Sequence, residues 1–253
     1  MQSEISVILP IKNEEKVLLK NIKKYKKKIE NITKKKILFI VVLNGSTDSS
    51  EKIIDKLKMN FRIQKYTLNH GNYGLALKIG LSKVRTKYAI IMNADYIWDD
   101  LFFKWSLKKK FNYDMIIGSK SLNQKLNNQN MYRKILTRGL NTILKILFNS
   151  PVSDTHGLKI IKMKKLKQII NKCKMTRGQF DTELTLNSLN KKLKIVEVPV
   201  KYGEVRPQRN LMIKKIIQNI YDLIFLYLNL KDINLLKKIN YSRKSREKIK
   251  NEL

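Results

Sequence analysis

Residues 37–48 read ILFIVVLNGSTD, and this stretch decides the fold. Ile37–Leu43 is a continuous β-branched and aliphatic run. Such runs belong to strands covered on both faces, as in a parallel sheet. The NGSTD that follows is polar and carries a glycine, and Ser49–Lys58 then shows helical periodicity. Strand, polar turn and helix recur on both sides. Strands are expected at Ile5–Leu9, Arg62–Tyr66, Tyr88–Met92 and Asp114–Ile117. Helices are expected at Glu14–Tyr25, Gly74–Val84 and Asp99–Lys109. This alternation argues for an α/β domain with a mostly parallel sheet.

Ligands of such sheets sit beyond the carboxyl ends of the strands. The residues there are Pro10–Glu14, Asn44–Asp48, Asn69–Gly74, Asn93–Asp95 and Gly118–Lys120, all polar or glycine-bearing. In the turn at 44–48, Thr47 or Asp48 suits a helix cap. Asn93 and Asp95 are short polar residues at spacing two after a buried strand. An Asp there suits a hard divalent cation whose other positions are filled by phosphate oxygens, and an Asx-turn is the plainer use of the same residues.

The second half has a different pattern. Met131–Phe148 and Lys214–Leu230 are amphipathic helices, and Phe180–Asn190 is a third helix. Ile195–Pro199 reads as an edge strand, because proline cannot donate to a ladder. The chain is expected to form one domain over 1–230, with a loosely held basic extension over 231–253.

Lys and Arg number 54 against 20 Asp and Glu among 253 residues, a formal charge of +34. Nucleic acid, an anionic membrane surface or a phosphorylated ligand would each answer that charge. Much of the excess is also what AT-rich codons favour, and the Lys-rich stretch at 20–36 reads as a solvated helix face and turn. No aromatic-interleaved basic strand points to nucleic acid. Cys173 alone rules out a disulfide framework, and His70 and His156 are too few for a His-rich metal site. Neither a signal peptide nor an apolar span of about 18 residues is evident, and a cytoplasmic location is the expectation.

Taken in order, ISVILP with Asn13 and Glu14, NGSTD, Gly74 and Gly80, NAD at 93–95 and GSK at 118–120 resemble family 2 glycosyltransferases of the GT-A fold. YRKILTRG at 132–139, VSD at 152–154, FDTEL at 180–184, and EVPV at 197–200 followed by Glu204, Arg206 and Arg209 resemble the dolichyl-phosphate mannose synthase and glucosyltransferase branch. The likeness spans roughly residues 5–230.

It implies a metal-dependent inverting transfer of a hexose from a nucleotide sugar, of GDP-mannose or UDP-glucose type, to a polyprenyl phosphate. By this resemblance Pro10, Asn13, Glu14, Asn44, Asp48 and Gly74 line the nucleotide side, with Lys120 nearby. Asn93 and Asp95 take the place of the DxD pair, Asp95 holding Mg2+ or Mn2+. Arg133, Thr137 and Arg138 match the helix that holds the acceptor phosphate, and Asp154 matches an acidic active-site position. Arg206 and Arg209 match a basic segment over the diphosphate. Leu43, Asn44 and Asn93 stand where the family pattern has acids, and VSDTHG is one residue short between Asp154 and Gly157.

The chemistry follows from the acceptor. A sugar hydroxyl must lose a proton and needs a carboxylate within reach. A lipid phosphate is already ionised and needs cations that position it, a task suited to arginine. The four arginines Arg133, Arg138, Arg206 and Arg209 favour the lipid phosphate. The two amphipathic helices would then provide a peripheral contact at the cytoplasmic face of a membrane, with or without a separate membrane subunit. A saccharide-hydroxyl acceptor and a degenerate inactive homologue are the alternatives.

Overall fold

A computed structural model describes residues 4–129, 131–203, 212–230 and 241–253. β1 (Ile5–Ile11) pairs in parallel with β2 (Ile37–Asn44), and β2 with β3 (Ile63–Leu68). On its other edge β1 pairs in parallel with β4 (Tyr88–Ile91). The helices between these strands are α1 (Glu15–Thr33), α2 (Ser50–Lys58) and α3 (Tyr73–Ser82). α4 (Asp100–Lys109) leads to β5 (Met115–Ser119).

Past α5 (Met131–Phe148), the chain returns as β7 (Lys159–Lys162), antiparallel to both β4 and β5. A two-residue β6 (Asn127–Asn128) precedes α5 and pairs with β9 (Tyr202–Gly203) outside the main sheet. α6 (Met163–Lys172) and α7 (Phe180–Asn190) then lead to β8 (Ile195–Pro199), which lies parallel to β5. α8 (Met212–Leu230), β10 (Tyr241–Arg243) and α9 (Arg246–Asn251) complete the described chain. The sheet order is β10-β8-β5-β7-β4-β1-β2-β3, a mostly parallel sheet with one reversed strand. Apolar clusters cover both of its faces, as the uninterrupted ILFIVVL run requires.

α1 runs eight residues past the expected Tyr25, through the Lys-rich stretch. Leu18, Ile22, Tyr25 and Ile29 recur at helical spacing and are buried against the sheet, while most of the lysines face out. β7 and α6 were not anticipated. β7 is only four residues, KIIK, too short and too lysine-flanked for a periodicity to register.

β8 is not an edge strand, because β10 pairs with it in parallel. Pro199 is compatible with this position since β10 covers only Ile195–Glu197. Pro10 is accommodated in the same way, lying past Ile8, the last β1 residue paired with β4.

Residues 241–253 are also more firmly held than expected of a loose extension. Ile249 is fully buried, Trp105 Nε1 donates to Glu252 at 3.0 Å, and Arg246 makes a two-nitrogen contact with Asp99 at 2.7 and 3.1 Å. Burial alone would raise the Asp99 carboxyl, but hydrogen bonds from Arg246 and the Lys201 and Phe102 amides hold it below its ordinary value.

Candidate active site

The carboxyl ends of β1 and β2 carry two loops that interlock. Asn13 adopts a left-handed φ of 56°, a conformation asparagine tolerates. Its Oδ1 accepts from the Thr47 amide at 2.8 Å, and its own amide donates to Ser46 Oγ at 3.3 Å. The Glu14 amide donates to Ser50 Oγ at 2.9 Å. Asp48 accepts from the Glu15 and Ser50 amides, both at 3.0 Å, so one carboxylate serves the first turns of both α1 and α2. Burial would raise the Asp48 carboxyl, but these hydrogen bonds win and lower it.

Asn44, buried at the end of β2, accepts from the Asn72 amide, and Asn72 in turn caps α3 through the Leu75 amide. Gly45 has φ +65° and lies against the backbone of His70 and Gly71, where a Cβ would come within 2.6 Å of the Gly71 nitrogen. Gly74 faces the Arg177 carbonyl so closely that a side chain there would displace the 176–177 backbone. Pro10 is buried within β1 opposite Val42. The structure thus brings Asn13, Glu14, Asn44 and Asp48 to one rim, while Pro10 and Gly74 have packing roles.

The Asn93–Asp95 turn follows β4 and is held from below by α1. Asn21 Nδ2 donates to the Ala94 carbonyl at 2.8 Å, and Tyr25 donates to the Tyr96 carbonyl at 2.8 Å. Asp95 is half-buried, and desolvation raises its carboxyl. Asn93 Oδ1 accepts from the Tyr73 hydroxyl at 3.2 Å. Burial pushes the Tyr73 and Tyr96 phenols far up, so both stay neutral.

A cavity of about 210 Å3 opens beside this turn, with Tyr73, Asn93, Tyr96, Lys120, Asp181 and Tyr202 in its wall. Lys120 Nζ lies 2.9 and 3.1 Å from the two Asp154 oxygens. Asp154 also accepts from the Lys120 and His156 amides, and its own amide donates to the buried Glu197 at 3.0 Å. Lys159 and Asp181, fully buried partners on β7 and α7, lie 2.7 Å apart. His156 Nε2 is 2.9 Å from the Gly178 carbonyl, and burial keeps that imidazole neutral.

Sequence reasoning did not single out Lys159, Asp181, Tyr73 or Tyr96. Lys159 lies in a strand that periodicity misses, and Asp181 sits in FDTEL, which drew notice only as a motif.

α5 and α8 approach one another at the Phe148 and Tyr227 rings, whose centres are 6.0 Å apart. Leu144, Phe148, Leu223, Leu226 and Leu230 join the core. Their outer faces are apolar too: Ile135, Ile143, Ile146, Tyr221, Ile224 and Leu228 are exposed, Ile146 to 75% and Tyr221 to 65%. Monomeric soluble proteins rarely leave large apolar patches uncovered. A groove of about 520 Å3 runs between α8 and Lys174–Arg177. Asn141 of α5 donates to the Ser153 carbonyl and so fastens α5 to the loop that carries Asp154. Arg133 stands in the first turn of α5, Thr137 is half-buried and Arg138 exposed, whereas Arg206 and Arg209 lie outside the described residues.

No group of three or more His, Cys, Asp or Glu among the described residues forms a ready metal cage. The Asn93 amide oxygen and the Asp95 carboxylate remain, and they fit a divalent cation of the kind that takes one or two protein oxygens and completes its shell with phosphate and water. No helix among the described residues is long and apolar enough to cross a membrane.

The chain is similar to several known proteins. A dolichyl-phosphate β-glucosyltransferase, ALG5A, of Trichomonas vaginalis is 27% identical over 215 residues, covering 79% of this chain. This chain spans 66% of that protein's length. An uncharacterized protein of Methanocaldococcus jannaschii is 29% identical over 79% of this chain and 82% of its own. The fold matches glucosyl-3-phosphoglycerate synthase of Mycobacterium tuberculosis, solved with Mn2+, UDP and phosphoglyceric acid. That match has TM-score 0.64 and 17% identity over 89% of this chain and 78% of the other. It also matches a mannosyltransferase of Pyrobaculum calidifontis solved with GDP-Man and Mn2+, at TM-score 0.61 and 13% identity over 92% and 70% of the two chains. The sheet is therefore that of the GT-A glycosyltransferases. The glycosyl transferase family 2 pattern itself matches residues 6–170, from the first residues of β1 to the end of α6, and by that match the chain belongs to glycosyl transferase family 2.

Proposed function

We propose that this chain moves a hexose, with inversion, from a nucleotide sugar to a polyprenyl phosphate at the cytoplasmic face of a membrane. The observation that carries this reading is the uncovered apolar face of α5 and α8. A face of that kind gives a chain without a spanning helix in its described residues a way onto a lipid surface. The name of the Trichomonas relative supports a lipid-phosphate acceptor, and the ligands in the two solved neighbours support a nucleotide-sugar donor.

In the reaction an oxygen of the acceptor phosphate attacks the anomeric carbon. The bond from that carbon to the donor diphosphate breaks, and its electron pair leaves on the diphosphate. No proton needs removal, because the nucleophile is already ionised. Asp154, the acidic position that would act as base toward a hydroxyl, is engaged by Lys120 and two amides. Asn13, Glu14, Asn44 and Asp48 shape the donor rim, and Asn93 and Asp95 would hold Mg2+ or Mn2+. That cation would offset the charge building on the leaving diphosphate. Arg133, Thr137, Arg138, Arg206 and Arg209 would position the acceptor phosphate.

The test is a transfer assay with UDP-glucose and GDP-mannose, with Mn2+ or Mg2+, offering polyprenyl phosphate in vesicles beside a soluble saccharide. Hexose on the lipid, lost with chelator and in Asp95→Ala, is the expected result. Hexose on the saccharide alone overturns the reading.

A further inference from the structure

Lys159 is the feature the reaction above leaves unused. It is a lysine with no exposed surface, placed in a strand reversed within the sheet. Its ammonium has two acceptors, Asp181 Oδ1 at 2.7 Å and the Gly157 carbonyl at 3.2 Å. Asp181 is in the wall of the 210 Å3 cavity beside Asn93 and Lys120. Asp181 therefore borders this cavity directly, and Asp154 stands behind Lys120, which lines it; each carboxylate is tied to a buried lysine, Asp154 to Lys120 and Asp181 to Lys159.

An unpaired carboxylate there would repel an anionic acceptor and offer a base to a hydroxyl. A paired one does neither. Burying two ions is costly, and their attraction rarely repays it in stability alone, so a buried pair in a reaction cavity invites a reason beyond folding.

We propose that Lys159 is a specificity-determining residue: paired with Asp181, it keeps the cavity open to an anionic oxygen and withholds a general base from hydroxyl acceptors. The other groups facing the pair act in the same sense or are neutral. His156 and Tyr73 are uncharged, and Lys120 and Asp154 cancel one another. The inference rests on the lipid-phosphate reading of the acceptor.

The experiment uses the full chain with polyprenyl phosphate in vesicles, and measures KM for acceptor and donor separately in wild type, Lys159→Gln, Asp181→Asn and the double variant. Lys159→Gln should raise the acceptor KM at least tenfold and move the donor KM less than twofold. Asp181→Asn should leave the acceptor KM unchanged or lower it, and the double variant should return toward wild type. A pair that only braces the fold would impair both single variants alike, and that result overturns the inference. If Lys159→Gln does not fold, Asp181→Asn and the double variant still decide, since a rise in acceptor KM in both is the overturning result. Wild type that glycosylates only a saccharide hydroxyl removes the acceptor reading, and this inference with it.

Discussion

α1 and the α5/α8 pair are amphipathic helices of similar length with opposite fates. In α1 the apolar stripe of Leu18, Ile22, Tyr25 and Ile29 is fully buried. Through Asn21 and Tyr25 it supports the turn that presents Asn93 and Asp95. α5 and α8 bury one edge and leave Ile135, Ile146, Ile224 and Leu228 facing outward. The difference teaches that periodicity reports a face but not its cover. A stripe that narrows to one side packs on a sheet. Two stripes that extend round the helix leave surface over.

The contrast can be broken most sharply at Ile22. Ile22→Glu would bury a charge against the sheet with no partner, and should cost about 4 kcal/mol or more. Thermal unfolding reads it, and a loss under about 1 kcal/mol would mean α1 is not packed as described.

Arg246→Ala comes next and probes a helix held by an ion pair instead of a stripe. It leaves the buried Asp99 without its cation, a loss of about 3 kcal/mol. The sign with pH follows from the depressed Asp99 carboxyl. Its contribution is complete above the unfolded value near ~3.9 and disappears as pH falls through the lower folded one. Wild type should therefore lose its margin over Arg246→Ala on acidification below about pH 4, as unfolding in denaturant at several pH values would record.

A smaller effect in free energy, though a larger one for function, is expected on the outer face. Ile135→Glu, Ile146→Glu, Ile224→Glu and Leu228→Glu combined should reduce binding to anionic vesicles at least a hundredfold, about 2.7 kcal/mol. The melting temperature should hardly move, since exposed sites are near neutral. Undiminished vesicle sedimentation would show that the face serves something other than lipid.

The smallest change is Lys28→Ala, which removes an exposed ion pair with Asp100 on the solvated side of α1. It should shift stability by under ~0.5 kcal/mol, within the scatter of a denaturant titration.

Much of the architecture was legible before any coordinates. The helices at 131–148 and 180–190 have the expected bounds, and the first strands differ by one or two residues. Local pattern suffices there because burial on both faces demands unbroken apolar runs. β7 escaped because KIIK depends on β4 and β5 to be a strand at all. β8 was misplaced at an edge because its outer partner, β10, begins 42 residues after Pro199, and a pairing at that separation leaves no local pattern to read.

The candidate site divides the same way. Asn13, Asp48, Asn93 and Asp95 follow strands and Asn44 ends one, so their place at the carboxyl end of the sheet could be read from order alone. By itself, then, the sequence determined the α/β class, the polar strand ends and the existence of apolar helix faces, because each depends on neighbours a few residues apart. Only the tertiary structure decided that Lys120 meets Asp154 across 34 residues, that Lys159 meets Asp181 across 22, and that α5 and α8 leave their outer faces bare. Those outcomes depend on which buried groups come together in three dimensions, and charge pairing at a distance leaves no period in the chain.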